Sequence, residues 1–161
     1  MASFQQSFAF RLLGEADLDI TRCWRNHPDS LQWFGDTQPL TREAQHRWFS
    51  ARTGIVGDEI YLLLSSEGQP LGQFSVYRID YESGRAEVGR FLVDPSLRGH
   101  GYFDEGLGRL LAKCRELHGL REVYLSVRVD NARAIRAYCR NGFRAAGVEN
   151  GMLSMRRDLR T

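Results

Sequence analysis

One segment constrains this chain more than any other: a strand-like run that breaks into a basic, glycine-containing loop and then directly into an amphipathic helix. Residues 85–93 read as a strand that stops at Asp94-Pro95, and Arg98-Gly99-His100-Gly101 follows. From Phe103, apolar residues recur at Leu107, Leu110, Leu111, Cys114 and Leu117, the spacing of one helix face. A helix N-terminus presents unpaired N–H groups and a partial positive charge, which suits phosphate. Gly99 and Gly101 let the backbone approach an anion closely, and Arg98 adds a planar, fully charged donor array. Taken alone, the same residues describe an ordinary strand–helix turn with a surface arginine.

The rest of the chain reads as alternating elements with no repeat, low-complexity tract or linker. Strands are predicted over residues 8–13, 59–65, 71–80, 123–129 and 153–159. Helices are predicted over 17–25, where Asp17 lies in the first turn, over 41–52 with Thr41 as N-cap, and over 131–140, ended by Asn141-Gly142. The order β-α-α-β-β-β-α-β-α-β is an α+β arrangement around a mixed sheet. A length of 161 residues suits a single domain over 1–161. Hydrophobic residues at 42% and charged residues at 26% are globular proportions.

Composition also excludes classes. A net charge of +2 is too small to imply nucleic acid. No run approaches the roughly 20 apolar residues of a membrane span. The first ten residues lack a cationic start followed by an apolar run, so a cytoplasmic protein is expected. Cys23, Cys114 and Cys139 form no CxxC pair and are odd in number, which argues against a disulfide framework or a metal site. They read as buried small hydrophobes, with a catalytic thiol as the alternative.

A second constellation follows the fifth predicted strand. Asn131 and Tyr138 lie seven residues apart, close to two helical turns, with Ala134 between them on the same face. That narrow face suits an extended ligand. Asn131 as a plain N-cap and Tyr138 as a plain core aromatic are compatible with it, because a cap uses only part of the amide and a buried Tyr still needs a hydroxyl partner.

With both constellations in register, the chain resembles the general-control-related N-acetyltransferase (GNAT) superfamily. Arg98-Gly99-His100-Gly101-Tyr102 resembles its acetyl-CoA pyrophosphate loop. The stretch 131–138 with Asn141-Gly142-Phe143 resembles its second signature. The resemblance implies a mixed, mostly antiparallel sheet flanked by helices, with acetyl-CoA as cosubstrate and no metal. It implies a cofactor path along Phe91, Leu92 and Val93, over the loop Arg98, Gly99, His100, Gly101, Tyr102 and Phe103, and against Asn131, Ala134 and Tyr138. Phe103 departs from the pattern, which has Gly or Ala there, so a bulky ring is expected either to tighten the anion pocket or to redirect one N–H contact.

The resemblance also assigns roles. Tyr138 matches the tyrosine that protonates the departing thiolate, and a backbone N–H of the strand 85–93 matches the oxyanion donor. An amine near pKa ~10 needs to lose a proton before it attacks, which calls for a base. Glu87 is the best candidate, with Gly89 two residues on as a possible bulge; a solvated strand residue is the alternative. His100 is expected to face solvent or phosphate, and His46 to be exposed or capping.

On the acceptor side, all three tryptophans fall near Trp24-Arg25-Asn26-His27-Pro28, Trp33-Phe34 and Trp48-Phe49. Aromatic faces can stack on a nucleobase and Arg25 can meet a phosphate, although a hydrophobic cluster accounts for at least two of them. Arg25-Asn26-His27-Pro28 followed by Trp33 resembles the branch that acetylates a nucleotide-linked 4-amino sugar on the way to pseudaminic acid. The expected acceptor is therefore a small amine, best matched by such a sugar, held by Trp24, Arg25, Asn26, Trp33 and Phe34. The branch acetylating ribosomal protein N-termini is the alternative, beside aminoglycosides, polyamines and a non-catalytic acyl-CoA-binding module. A polycation is disfavoured by the lack of a dense acidic patch. A monomer or homodimer is expected.

Overall fold

Alternation along the strands creates two apolar faces, and different helices cover each. The computed structural model describes residues 6–34 and 38–160. The first half contains β1 (Phe8–Leu12), α1 (Leu18–Asn26), α2 (Pro28–Leu31), α3 (Arg42–Arg52), β2 (Glu59–Ser65), β3 (Pro70–Asp80) and β4 (Arg85–Val93). The second adds α4 (Tyr102–Glu116), β5 (Glu122–Arg128), α5 (Ala132–Arg140), β6 (Arg144–Glu149) and β7 (Met152–Asp158). The strands form one sheet in the order β1-β2-β3-β4-β5-β7-β6, antiparallel except for the β4–β5 pair.

β2 shows why both faces must be covered. Successive side chains point to opposite faces, and Ile60 to Leu64 are all buried. Tyr61 and Leu63 join a core that includes Leu107, Leu110, Leu111 and Cys114 of α4 and Tyr138 of α5. Ile60, Leu62 and Leu64 join a second core with Leu18 and Trp24 of α1, against which Trp48 and Phe49 of α3 pack. A strand sandwiched in this way has no solvent face, hence its unbroken apolar run. At Gly106, α4 lies so close to the sheet that an added Cβ would sit 2.0 Å from the Phe74 ring.

Two elements escaped the sequence reading. Every residue of β6 is exposed, so this edge strand carries no apolar alternation to detect. The four-residue α2 is capped by His27, whose Nδ1 accepts from the Asp29 backbone N–H. Asp17 precedes α1 instead of lying in its first turn, because its carboxylate accepts from the Gly14 N–H and from Arg11. Of the cysteines, Cys114 is buried, and burial pushes its thiol up to about 12. Cys23 and Cys139 are exposed, contrary to expectation, each on an outward position of its helix. Among the described residues no helix is long and apolar enough to cross a membrane, and no group of three or more His, Cys, Asp or Glu could hold a metal ion.

Candidate active site

The site begins where the sheet comes apart. β4 and β5 pair only from Arg85–Glu122 to Glu87–Tyr124. Beyond that, β4 carries one extra residue against β3: Ser75 faces Gly89 while Gln73 already faces Leu92, leaving Arg90 and Phe91 without register partners. Such a bulge bends its strand. Arg90 adopts φ 53°, an uncommon conformation for a side-chain-bearing residue. It is held there by Gln73 Nε2 donating to its carbonyl, by both Asp58 oxygens accepting from its guanidinium, and by the rings of Tyr77 and Trp48. The resulting cleft of about 720 Å³ is walled by residues 87–93 of β4 and 125–128 of β5.

The glycine loop and the start of α4 close one end. Asp94 accepts from the Ser96 N–H, and the chain passes through a single 3₁₀ turn at Pro95–Leu97. Gly99 and Gly101 then take φ values of 83° and 79°, and a Cβ at either would meet nothing within 4 Å. Their left-handed backbone and the open space above them form a cradle over the first N–H groups of α4, which no side chain caps. Arg98 lines the cleft and donates to Asp29 Oδ2 at 2.9 Å and Ser30 Oγ at 3.4 Å, both on α2. His100 does not line the cleft. Its Nδ1 lies against the Leu97 and Arg98 carbonyls and its ring stacks on Tyr102, so its side chain shapes the loop from behind.

α5 runs along one wall. Asn131 Oδ1 accepts from the Ala134 N–H as the N-cap, and Asn131, Ala134 and Tyr138 all line the cleft, as their spacing predicts. Tyr138 is 9% exposed and nests among Phe91, Phe103 and Phe143, each with ring centroids 5.9 Å away. Burial, with a smaller contribution from Tyr77, pushes its hydroxyl well above the usual tyrosine range. Phe103 does not narrow the anion cradle. Its ring turns inward against Phe74, Phe91 and Tyr138 and floors the cleft. Asp104, next along α4, is held below the usual carboxylate range by hydrogen bonds from Arg140 and Asn141.

Glu87 lies at the narrow end, where β4 and β5 part. Its carboxylate accepts from Arg78 Nη1 at 2.5 Å and, weakly, from the Tyr77 hydroxyl at 3.4 Å. Burial and the Glu87 charge push Tyr77 up to about 12. Trp33 and Phe34 form the opposite lip, with the Arg128 guanidinium 5.5 Å from the Trp33 ring and Arg25 4.3 Å from that of Phe34.

The other residues expected to hold the acceptor lie elsewhere. Trp24 is 2% exposed inside the second core. Asn26 staples the chain to Leu40 through both its amide atoms. Arg25 lies outside the cleft lining, behind Phe34, and Trp48 is stacked on Arg52 and Arg90 below β4. His46 is near Glu15, outside the cleft lining. Packing thus takes two of the three tryptophans and leaves Trp33 as the indole on the cleft.

Sequence reasoning missed Asp29, Ser30, Tyr77 and Arg128, which reach the cleft from separate elements. It also passed over Arg133 and Arg136, whose signal was their place inside the second signature. Among the described residues, six arginines and three carboxylates line the cleft. Each carboxylate is paired: Asp29 with Arg98, Glu87 with Arg78 and Asp104 with Arg140.

Residues 8–144 match the family model described as an acetyltransferase (GNAT) domain. The spermine/spermidine N(1)-acetyltransferase of Bacillus subtilis (strain 168) is 36% identical over 76 residues, 47% of this chain and 50% of that relative. The chain therefore matches about half the length of the curated relatives. Among solved structures, the spermidine N-acetyltransferase from Vibrio cholerae in complex with CoA and spermine has a TM-score of 0.84 at 18% identity, covering 95% of this chain and 96% of that one. A domain from Methanocaldococcus jannaschii DSM 2661 has a TM-score of 0.81 at 18% identity, covering 96% and 99%. At such identities the likeness is one of fold.

Proposed function

The chain belongs to the GNAT acetyltransferase family, and from this premise we propose that it is an N-acetyltransferase moving the acetyl group of acetyl-CoA to a primary amine. The observation that carries this reading is one continuous cleft with a glycine cradle at a helix N-terminus at one end and a buried tyrosine hydroxyl on its wall. The open space over Gly99 and Gly101 and the uncapped start of α4 fit a diphosphate, and the parting of β4 from β5 fits an extended arm.

Acetyl-CoA supplies an activated acetyl thioester. Tyr138, with its raised pKa, keeps its proton at neutral pH and delivers it to the departing sulfur. The bulge leaves Arg90 and Phe91 without register partners, and a backbone N–H of β4 beside it serves as the oxyanion donor in this reading. Glu87, between Arg78 and Tyr77, takes the proton of the attacking amine. A module that only held acyl-CoA would need neither of these side chains at the cleft.

For the acceptor we propose a nucleotide-linked amino sugar. Trp33 offers one stacking face and Arg128 a cation beside it, while every carboxylate lining the cleft among the described residues is already ion-paired. A polyamine would need unpaired acids. Polyamine acetylation is nonetheless the second reading, favoured by the names of the Bacillus subtilis and Vibrio cholerae proteins. We further propose a cytoplasmic enzyme, monomer or homodimer, acting on a small diffusible amine.

Purified protein incubated with acetyl-CoA and single amines, followed by thiol release, tests both levels. The panel holds a UDP-linked 4-amino-4,6-dideoxyhexose, the free sugar, spermidine and an N-terminal peptide. Turnover of the UDP-linked sugar above the others is expected. Preference for spermidine or peptide overturns the acceptor assignment. Acetyl-CoA binding with no turnover on any amine overturns the enzyme.

A further inference from the structure

Gly89 is a glycine for space and not for conformation. Its φ is not positive, so the backbone there does not call for glycine. A Cβ on it would nevertheless stand 2.5 Å from the Tyr77 hydroxyl, closer than side chains pack. Tyr77 pairs with Glu87 across the β3–β4 ladder, and its ring leans diagonally over the next residue on that face of β4, which is Gly89. The Arg90 guanidinium lies 4.0 Å from the ring and is itself fixed on both Asp58 oxygens, which braces the ring in that position.

The Tyr77 hydroxyl therefore has two neighbours at the cleft. One is Oε1 of Glu87, to which it donates weakly at 3.4 Å. The other is the chain at Gly89, the last residue in register with β3 before the bulge at Arg90 and Phe91. Arg78 follows Tyr77 on β3 and so lies away from the bulge, and it holds Oε2 of Glu87 at 2.5 Å. The carboxylate is thus tied back toward the narrow end. Two residues of strand span about 7 Å, more than twice a hydrogen bond of about 3 Å. The one hydroxyl divides that gap.

We propose that Tyr77 is a further catalytic residue, whose hydroxyl receives the proton of the attacking amine while passing its own to Glu87. The proposal rests on the acetyltransferase reading of the cleft, with Glu87 as the base. In that reading a β4 N–H beside the bulge receives the oxyanion, so the attacking nitrogen arrives next to Gly89, within reach of the Tyr77 oxygen. As the nitrogen bonds to the acetyl carbon, its N–H breaks and a new O–H forms on Tyr77. The original Tyr77 O–H breaks in the same event, and that proton ends on Glu87 Oε1. Tyr77 is neutral before and after. Burial and the Glu87 charge push it up to about 12, so it keeps its proton at neutral pH and serves as a relay without becoming the base. The proton for the departing sulfur comes separately, from Tyr138.

Wild type, Tyr77→Phe, Glu87→Gln and the double variant are compared by thiol release, with acetyl-CoA and the amine of the panel that the wild type acetylates fastest. Tyr77→Phe is expected to lower kcat about 10²-fold with KM for acetyl-CoA unchanged. Members of one relay fail together, so the double variant should also be about 10²-fold slower than wild type, and not the roughly 10⁴-fold of two independent groups. Gly89→Ala alone should slow the enzyme to a similar degree by displacing the hydroxyl. Added to Tyr77→Phe it should cost nothing more, since the nearest ring carbon is 3.4 Å from that Cβ. Near-normal turnover of Tyr77→Phe or of Gly89→Ala overturns the relay, as do losses that multiply in the double variant. A further loss from Gly89→Ala in the Tyr77→Phe background overturns it too, because Gly89 would then serve something other than the hydroxyl. If Glu87→Gln turns over normally, the base assignment falls and the relay with it. If the wild type acetylates no amine, the acetyltransferase reading itself falls.

Discussion

Arg98 of the glycine loop and Asp29 of α2 form an ion pair at 2.9 Å across 69 residues of sequence, joining the glycine loop to the α2 side of the cleft. The cation best suited to a diphosphate thus already has an anionic partner. The Asp29 side chain is 59% exposed, so the pair adds little to stability. Removing its charge also removes a repulsion toward phosphate. Asp29→Asn is therefore expected to tighten CoA binding about two- to five-fold, a change worth under 1 kcal/mol. Weaker binding, measured by calorimetry, would assign Asp29 instead to holding Arg98 in place.

The cradle itself is tested by Arg98→Ala combined with Gly101→Glu. Acetyl-CoA is expected to raise the melting temperature of the wild type and to leave that of the double variant unmoved. A side chain at Gly101 projects into open space but strains a backbone at φ 79°, costing about 1–2 kcal/mol of stability. The variant should remain folded. A ligand-induced shift of wild-type size would put the diphosphate elsewhere.

Tyr138→Phe removes the proposed proton donor and nothing that packs. A fall in kcat of about 10²-fold with little change in KM for acetyl-CoA is expected. The pH dependence follows from the sign of the shift. A tyrosine raised above its ordinary value of 10 stays protonated below that pH, so the wild-type rate should show no alkaline loss from this group up to about pH 10. Near-normal turnover in the phenylalanine variant would leave Tyr138 as a packing residue.

Glu87→Gln keeps the shape of the side chain and removes its basicity. A fall in kcat of about 10²-fold with little change in KM for acetyl-CoA is expected. Near-normal turnover would move proton removal to a water chain or to the acceptor amine.

The tryptophans separate by burial. Trp24→Ala empties a site in the second core and is expected to cost about 3–5 kcal/mol of stability, read by denaturant unfolding. Trp33→Ala should leave stability within about 0.5 kcal/mol. It should raise KM for a nucleotide-linked acceptor roughly five- to a hundred-fold, the worth of one base–aromatic stack. An unchanged KM for that acceptor would remove Trp33 from its binding.

Local physics was legible in the chain itself. The strand end, the glycine loop and α4 are consecutive, and helix periodicity and N-terminal phosphate affinity depend only on near neighbours. The shared face of Asn131, Ala134 and Tyr138 is likewise a property of one helix. What the sequence could not express is which side of an element faces what. Trp24, Trp33 and Trp48 are neighbours along the chain, yet only the stacking of α1 and α3 on one sheet face sends two of them to the core and one to the cleft. The cleft exists because Asp58, 32 residues from Arg90, holds a left-handed bulge open, and because β4 and β5 stop pairing after Glu87. Those contacts are non-local, so their positions follow from the way the sheet and helices close around two cores, and not from any spacing along the chain.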